Sequence, residues 1–414
     1  MERRLSAAQP AGAAARRRPV AMLVHAYYDE DPRVRREAES LVAAGRPVDV
    51  FGLRRHGDAA RGQLDGVAVH RLDVRRHQGA GIGTYLREYV AFTLRASWAL
   101  AKAHRHRRYA LVQVHTPPDA LVFAALPLRL VGVPILLDLH EAMPEFFRSR
   151  FPRASNPAVH RLLLLMERAS IRLATRAVTV NQAMVDRLIE LDVPPEKVGV
   201  LANSPSLARF DAARFDRRTF AEDGIIRLVY AGALTPTYEV DVVIDGMAAL
   251  HAARPELRLA FDVYGRGDAA AALAARAVDV GLGEDITFHG RIPIEHVPAA
   301  IAGADIGIAP TRRDPFTDVS LSTKVFEYAA MGKPVVASRL PMVERTFPAG
   351  TVRTYEPGDA LALAAQIEAI VDDPLAREAA VERTAAIVQR ASWEREASAY
   401  VALVDRLAAS RDPS

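Results

Sequence analysis

The sequence predicts an α/β protein made of two doubly wound parallel sheets in tandem. Three observations predict it. Short β-branched runs alternate with longer Ala/Leu/Arg stretches of helical period along nearly the whole chain, and this pattern restarts after a Pro/Asn/Arg-rich stretch at residues 203–223. The length of 414 residues suits two or three domains with separate cores. Charge divides near the same place: residues 1–207 hold 31 Lys and Arg against 20 Asp and Glu, a net +11, while residues 208–414 hold 23 against 30, a net −7. A basic half joined to an acidic half suggests two domains with different partners. The expected division is a disordered tail at 1–18, an N-terminal domain at 19–205, a C-terminal domain at 206–390 and a terminal helix within 391–414.

In chain order, the buried strands of the first half are expected at 20–25, 48–53, 67–72, 111–115, 135–138 and 177–180. Helices are expected between them at 33–44, 84–103, 119–131 and 158–174. Two helix starts are well signalled. Asp31-Pro32 places an N-cap acceptor before a proline at the first helical position, and Thr116-Pro117-Pro118-Asp119 places a cap hydroxyl and a first-turn acid just after the strand ending at His115. Both starts mark the carboxyl ends of parallel strands, the face where such folds bind ligands. The second half repeats the plan, with strands at 227–231, 259–264, 286–289, 306–309 and 334–337 and helices at 240–251, 269–280, 323–331 and 359–372.

Composition excludes several chemistries. With no cysteine there is no disulfide scaffold, Fe–S cluster, Cys-ligated zinc or thiol nucleophile. The Arg-rich first 18 residues read as a disordered extension; a secretory signal fails because the apolar run 20–24 is confined by Pro19 and His25. The apolar stretch 120–137 is broken by Pro127, Arg129 and Pro134, which argues against a membrane span, so a cytoplasmic protein is expected. Asp29-Glu30-Asp31 has an acid-x-acid spacing but is explained by capping, and the twelve histidines show no H-E-x-x-H or close ligand cluster, so no metal is expected. Gly79-Ala80-Gly81-Ile82-Gly83 follows no strand and reads as a linker rather than a phosphate loop.

The most informative stretch is SLSTKVFEYAAMGKPVVAS, residues 320–338: a polar loop, a short helix from about Thr323, a Gly332 C-cap and a buried strand. Lys324 and Glu327 lie three apart and share a face near the helix N-terminus. Exposed amides there, with the hydroxyls of Ser322 and Thr323 and one ammonium group, make an anion site suited to a diphosphate. A carboxylate one turn on can accept both hydroxyls of a ribose. An ordinary solvated Lys–Glu pair satisfies the same spacing.

This segment resembles the donor-binding signature of the retaining glycosyltransferases of family 4, which have the GT-B fold of two facing Rossmann-like domains. VYAGALT (229–235), YGRGD (264–268), ITFHGR (286–291) and ADIGIAP (304–310) resemble further blocks of their C-terminal domain. YDEDPRVRREAESLVAAGRPVDV (28–50), LDLHE (137–141) and VTVN (178–181) resemble the N-terminal domain of exopolysaccharide-type members, and the 393–407 stretch resembles the tail that crosses back to it. The resemblance implies a sugar passed from a nucleotide-sugar to an acceptor hydroxyl with retention. It carries the ribose carboxylate to Glu327, the phosphate-side lysine to Lys324 and the histidine beside the transferred sugar to His140. It implies no cofactor beyond a UDP- or GDP-sugar, and a glycan, lipid-linked or small-molecule acceptor.

Two departures stand out. The family's first glutamate, eight residues before Glu327, is Val319 here, with Asp318 alongside. The loop that usually carries two phosphate-binding cations reads Gly232-Ala233-Leu234-Thr235-Pro236-Thr237-Tyr238-Glu239 and has neither. Charged hydrogen bonds contribute roughly 1.5–3 kcal/mol each, so compensation is expected from Lys324, the amides near Gly232, Thr235 and Gly265, and Arg33 of the facing domain. The +11 half is expected to favour an anionic acceptor or the anionic inner membrane face, with no role for nucleic acid. A catalytically silent nucleotide-sugar binder, or another GT-B activity such as nucleotide-sugar epimerisation, is the alternative.

Overall fold

The computed structural model describes residues 17–74, 81–151, 153–216 and 218–412. Residues 1–16 of the expected tail, and Gly79-Ala80 of the expected linker, lie outside these. The first sheet holds β1 (Val20–Val24), β2 (Val48–Leu53), β3 (Arg61–Leu64), β4 (Val67–Leu72), β5 (Leu111–His115), β6 (Ile135–Leu139), β7 (Arg176–Thr179) and β8 (Val198–Val200). Their spatial order is β3-β4-β2-β1-β5-β6-β7-β8, parallel throughout except for the β3–β4 hairpin at one edge. The second sheet holds β9 (Ile225–Ala231), β10 (Arg258–Tyr264), β11 (Ile286–Gly290), β12 (Ile306–Ala309), β13 (Val335–Ser338) and β14 (Arg353–Tyr355), all parallel in the order β11-β10-β9-β12-β13-β14.

Helices cover both faces of each sheet, which is why central strands such as VAMLV are buried at every residue. Strand order reverses between β1 and β5 and between β9 and β12. The crevice beyond the carboxyl ends at each reversal is where such sheets bind ligands.

All eleven expected strands are present to within two residues. The unexpected ones, β3, β8 and β14, are short edge strands of three or four residues without a fully buried face. The expected helix 119–131 is a 3-10 segment, Asp119–Ala125, followed by one α-turn, Leu126–Leu130. The hydroxyl of Thr116 does not cap it, but accepts instead from the backbone N–H of His140 at 3.2 Å. Asp31 does cap the helix Pro32–Ala43, accepting from the amides of Arg33 and Val34.

The last helix, Trp393–Ala408, packs on the first sheet, where Trp393, Tyr400 and Val404 join Val20, Met22 and Leu111 in one cluster. Two polar links fix its register. The Tyr400 hydroxyl donates to Gln113 on β5 at 2.6 Å, and the Trp393 indole N–H donates to Ser40 at 2.9 Å. Arg46, 1% exposed, is held by Asp405 and Asp412 of the C-terminal segment. Arg17 and Arg18, expected to belong to the tail, bond the same two aspartates (3.0 and 3.1 Å). The chain is therefore anchored from Arg17 onward, because buried Arg46 needs both carboxylates and these attract the neighbouring residues.

Candidate active site

Three glycine-tolerant contacts build the floor of a cleft at the carboxyl ends of β9 and β10. The Gly232 amide donates to the Tyr264 carbonyl and the Leu234 amide to the Arg266 carbonyl, so the two loops cross in contact (2.8 and 3.0 Å). A Cβ at Gly265 would stand 1.7 Å from the Gly232 carbonyl oxygen, and one at Gly267 would stand 1.9 Å from that of Leu234. At Gly232 a Cβ would meet Lys324 Cε at 2.2 Å. Lys324 therefore reaches across the loop only because residue 232 has no side chain.

The helix Thr323–Ala330 points its N-terminus at this crossing, and Ser322 precedes it without making a side-chain cap. Lys324 is buried, with Nζ 3.9 Å from the Tyr238 ring centre and 5.3 Å from that of Tyr230. The tyrosine that replaces an expected loop cation thus steers the remaining lysine by its ring face. Glu327 lies one turn along. Burial raises its carboxyl above the ordinary value, against the opposing pull of Lys324 and a hydrogen bond from Thr323. Tyr328, behind it, accepts from the Ala231 amide at 3.1 Å and pins the end of β9.

Gly232, Thr235, Gly265, Thr323, Lys324 and Glu327 all line one cleft of about 870 Å³ between the domains. Ser322 borders it as the N-cap residue. Arg33 and His140 do not line it. Arg33, expected at the diphosphate, is engaged instead by its own cap residue, with Nε and an Nη 3.3 Å from the two oxygens of Asp31. Sequence reasoning missed the cations that the cleft does present: Arg266, Arg291 and Arg150. Arg266 and Arg291 both pair with Glu30 from the opposite domain, and Arg150 bonds Asp268 across the cleft at 2.7 Å. Their signal was faint. Arg266 sits inside the YGRGD turn and Arg291 ends ITFHGR, and only the juxtaposition of three loops brings them together.

On the N-terminal side, the ends of β5 and β6 place His115, Asp138 and His140 in one buried group. Asp138 lies on β6 and His140 just past its end, two residues on, while His115 on β5 is in register with Asp138. One carboxylate oxygen of Asp138 lies 3.0 Å from His115 Nδ1 and 3.2 Å from His140 Nε2, and the two rings stack 5.6 Å apart. The expectation of no histidine cluster is thus corrected: these three offer ligand atoms within 4.8 Å of one another. Spacing rules miss them because they come from neighbouring strands 23–25 residues apart in sequence. As hydrogen-bonded here, the carboxylate is already shared by two imidazoles.

Burial lowers the His140 pKa, outweighing Asp138, which favours the neutral ring. Burial opposes ionisation of Asp138 as well, but His140 and His115 hold it far below the usual carboxylate range. Asp31 is likewise held low, chiefly by Arg33 against its own desolvation. His140 Nδ1 has no hydrogen-bond partner among the described residues.

Comparison with known proteins agrees with this architecture. Residues 30–204 match the family model described as glycosyl transferase 4-like domain, and residues 226–373 match glycosyl transferases group 1. A D-inositol 3-phosphate glycosyltransferase from Arthrobacter is 25% identical over 400 residues, covering 90% of each chain. An alpha-D-kanosaminyltransferase from Streptomyces kanamyceticus is 25% identical over 307 residues, covering 70% of this chain and 75% of its own. Among solved structures, a sucrose-phosphate synthase from Thermosynechococcus elongatus superposes with a TM-score of 0.76 at 20% identity, covering 95% of this chain and all of its own. Anabaena HepE in complex with UDP-glucose gives 0.68 at 15% identity, over 95% and 100%. With two family models in tandem over two facing parallel-sheet domains, the chain belongs to the family 4 glycosyltransferases of the GT-B fold.

Proposed function

We propose that this glycosyltransferase is retaining and metal-independent, taking a hexosyl group from a UDP- or GDP-sugar held by the C-terminal domain. The acceptor is a hydroxyl of a glycan, lipid-linked or small-molecule substrate on the N-terminal domain. One observation carries the donor side: residues from three separate segments, including Lys324 and Glu327, converge on one wall of one cleft. Glu327 accepts the ribose hydroxyls. Lys324 and the amides from Thr323 onward meet the diphosphate, and Arg266 and Arg291 join them once the anion displaces Glu30.

In the transfer step the bond from the anomeric carbon to the phosphate oxygen breaks and its electron pair leaves with the diphosphate. The acceptor oxygen bonds the same face of that carbon, and its proton passes to the departing phosphate oxygen. His140 stands on the N-terminal side, fixed by Asp138, with a buried Nδ1 that has no partner among the described residues and would meet a sugar hydroxyl only if the site opens toward it. The names of the relatives support a sugar-alcohol or aminosugar context, and the UDP-glucose complex of HepE supports a uridine donor. The place of action we propose is the cytoplasm, at the inner membrane face.

A thermal-shift panel of UDP-, GDP- and TDP-sugars, followed by NMR of the product's anomeric configuration with and without EDTA, tests this. A saturating donor at about one hundred times its Kd should contribute ~2.7 kcal/mol and raise the melting temperature by several degrees. An inverted product, or loss of activity in EDTA, would overturn the stereochemical or the metal-independent part. Binding without transfer or hydrolysis would instead mark a silent nucleotide-sugar binder.

A further inference from the structure

Three helices lie on one face of the first sheet: Ile82–Arg107, Leu126–Leu130 and Pro157–Leu173. The first and last both pack on the segment Asp119–Ala125, and all three contribute to the same core cluster. Their outer surface is unusual in two independent ways. Among the described residues, ten of the fifteen large apolar side chains exposed to solvent lie on these helices or at Val131 just after the second. Along the first helix they recur every fourth residue, so that Leu86, Val90, Leu94 and Trp98 form a ridge 51–67% exposed. Leu130, 78% exposed, and Leu162, 60% exposed, are further apolar side chains open to solvent on the other two helices.

The exposed charge carried by these three helices is of one sign, although Asp192, exposed beyond them, lies 3.5 Å from Arg168. The three helices contain nine Arg and Lys and two carboxylates, Glu88 and Glu167, both buried. Arg87, Arg95, Lys102, Arg105, Arg129, Arg161 and Arg172 remain exposed around the apolar surface. Lys102 Nζ lies over the Trp98 ring, 4.8 Å from its centre, so the cation and the apolar ridge meet directly.

An apolar ridge bordered by cations, on helices with no exposed carboxylate of their own, complements an anionic bilayer. Acyl chains take the ridge while lipid phosphates take the guanidinium groups. A second copy fits poorly, because a two-fold contact through this face would set cation against cation. No helix among the described residues is long and apolar enough to cross a membrane, so contact would be in the plane of the interface. The ridge helix also begins at the active cleft, whose wall includes Tyr85 from its first turn, and runs ~39 Å away from it.

We propose that this three-helix face docks the protein peripherally on an anionic lipid surface, with the cleft mouth at the membrane. The docking stands independently of the reaction assigned above, and nucleotide binding by the same preparation keeps the two failures distinguishable. The test is flotation of the full chain with phosphatidylcholine vesicles, with and without phosphatidylglycerol. Roughly tenfold or greater preference for the anionic vesicles is expected, reversed by high salt.

The variant Leu94→Glu/Trp98→Glu should lose this binding while keeping its melting temperature and nucleotide affinity. Independently of that variant's folding, Trp393→Phe leaves Trp98 as the single tryptophan, whose emission should shift to the blue on anionic vesicles alone. Equal binding to both vesicle types, unchanged binding by the double variant, or an unshifted Trp98 would overturn the proposal. So would a dimer that the double variant splits while vesicles leave the wild type unbound.

Discussion

Lys324 is one of four lysines among 54 basic residues, and its surroundings explain why the site uses an ammonium group there. It crosses a glycine and its compact ammonium group sits against two aromatic rings. Its neighbour Glu327 makes a sharper prediction. Because burial already disfavours its ionised form, Glu327→Gln should leave the nucleotide-free melting temperature unchanged or higher. Yet the loss of charged hydrogen bonds, roughly 1.5–3 kcal/mol each, should weaken UDP or GDP binding by ~10-fold to 100-fold in titration calorimetry. His140 predicts a pH effect. Its folded pKa lies below the unfolded value of about 6.5, so the unfolded chain binds the proton first as pH falls. Stability should be full above about 6.5 and decline as pH drops through the folded pKa, and His140→Gln should flatten that part of a melting-temperature profile.

The site's precision at the scale of elements comes from loops rather than from the helix that carries the signature. The crossing of the β9 and β10 loops leaves no room for a methyl group at residue 265. Gly265→Ala should therefore cost about 3 kcal/mol or more and abolish nucleotide binding, both read from thermal melts with and without nucleotide. Gly83→Ala, in the first turn of a helix with nothing within 4 Å of its new methyl, should be neutral or mildly stabilising and serves as the control. The helix Thr323–Ala330 could be located from its pattern, but the YGRGD turn revealed only small residues. That these glycines exist to let two backbones touch is a property of the crossing, invisible in either loop alone.

For the whole molecule, the cleft is bridged by carboxylates and guanidinium groups from opposite domains. Glu30 meets Arg55 from its own side and Arg266 and Arg291 from the other, while Arg35 reaches Glu295 at 2.7 Å and Ser149 donates to Asp314 at 2.5 Å. Glu30 occupies the cations that the proposed function assigns to a diphosphate. Partly exposed pairs of this kind are worth ~0.2–1 kcal/mol. Glu30→Gln should therefore tighten UDP or GDP binding roughly twofold to fivefold, and weaker binding in calorimetry would show that Glu30 acts instead by holding the domains closed. On the proposed reading, the net-acidic C-terminal domain would bind its anion through local geometry, with cations set around one crossing of loops and shared with the facing domain.

The alternating pattern of β-branched runs and helical stretches was enough to fix two doubly wound domains, nearly every central strand, and the Lys324–Glu327 helix. Those features depend on periods of two and 3.6 residues and on local caps, which a linear sequence displays directly. Asp138 was half legible, being two residues from His140 at the end of one strand, but its pairing with His115 required the β5–β6 register. The diversion of Arg33 to Asp31 is a local contact two residues apart at one helix start, whereas the placement of Arg266 and Arg291 opposite Glu30 and the anchoring of Arg17 and Arg18 were decided only by tertiary structure. Each depends on which carboxylate lies nearest in space, and that distance is set by how separate loops and domains pack.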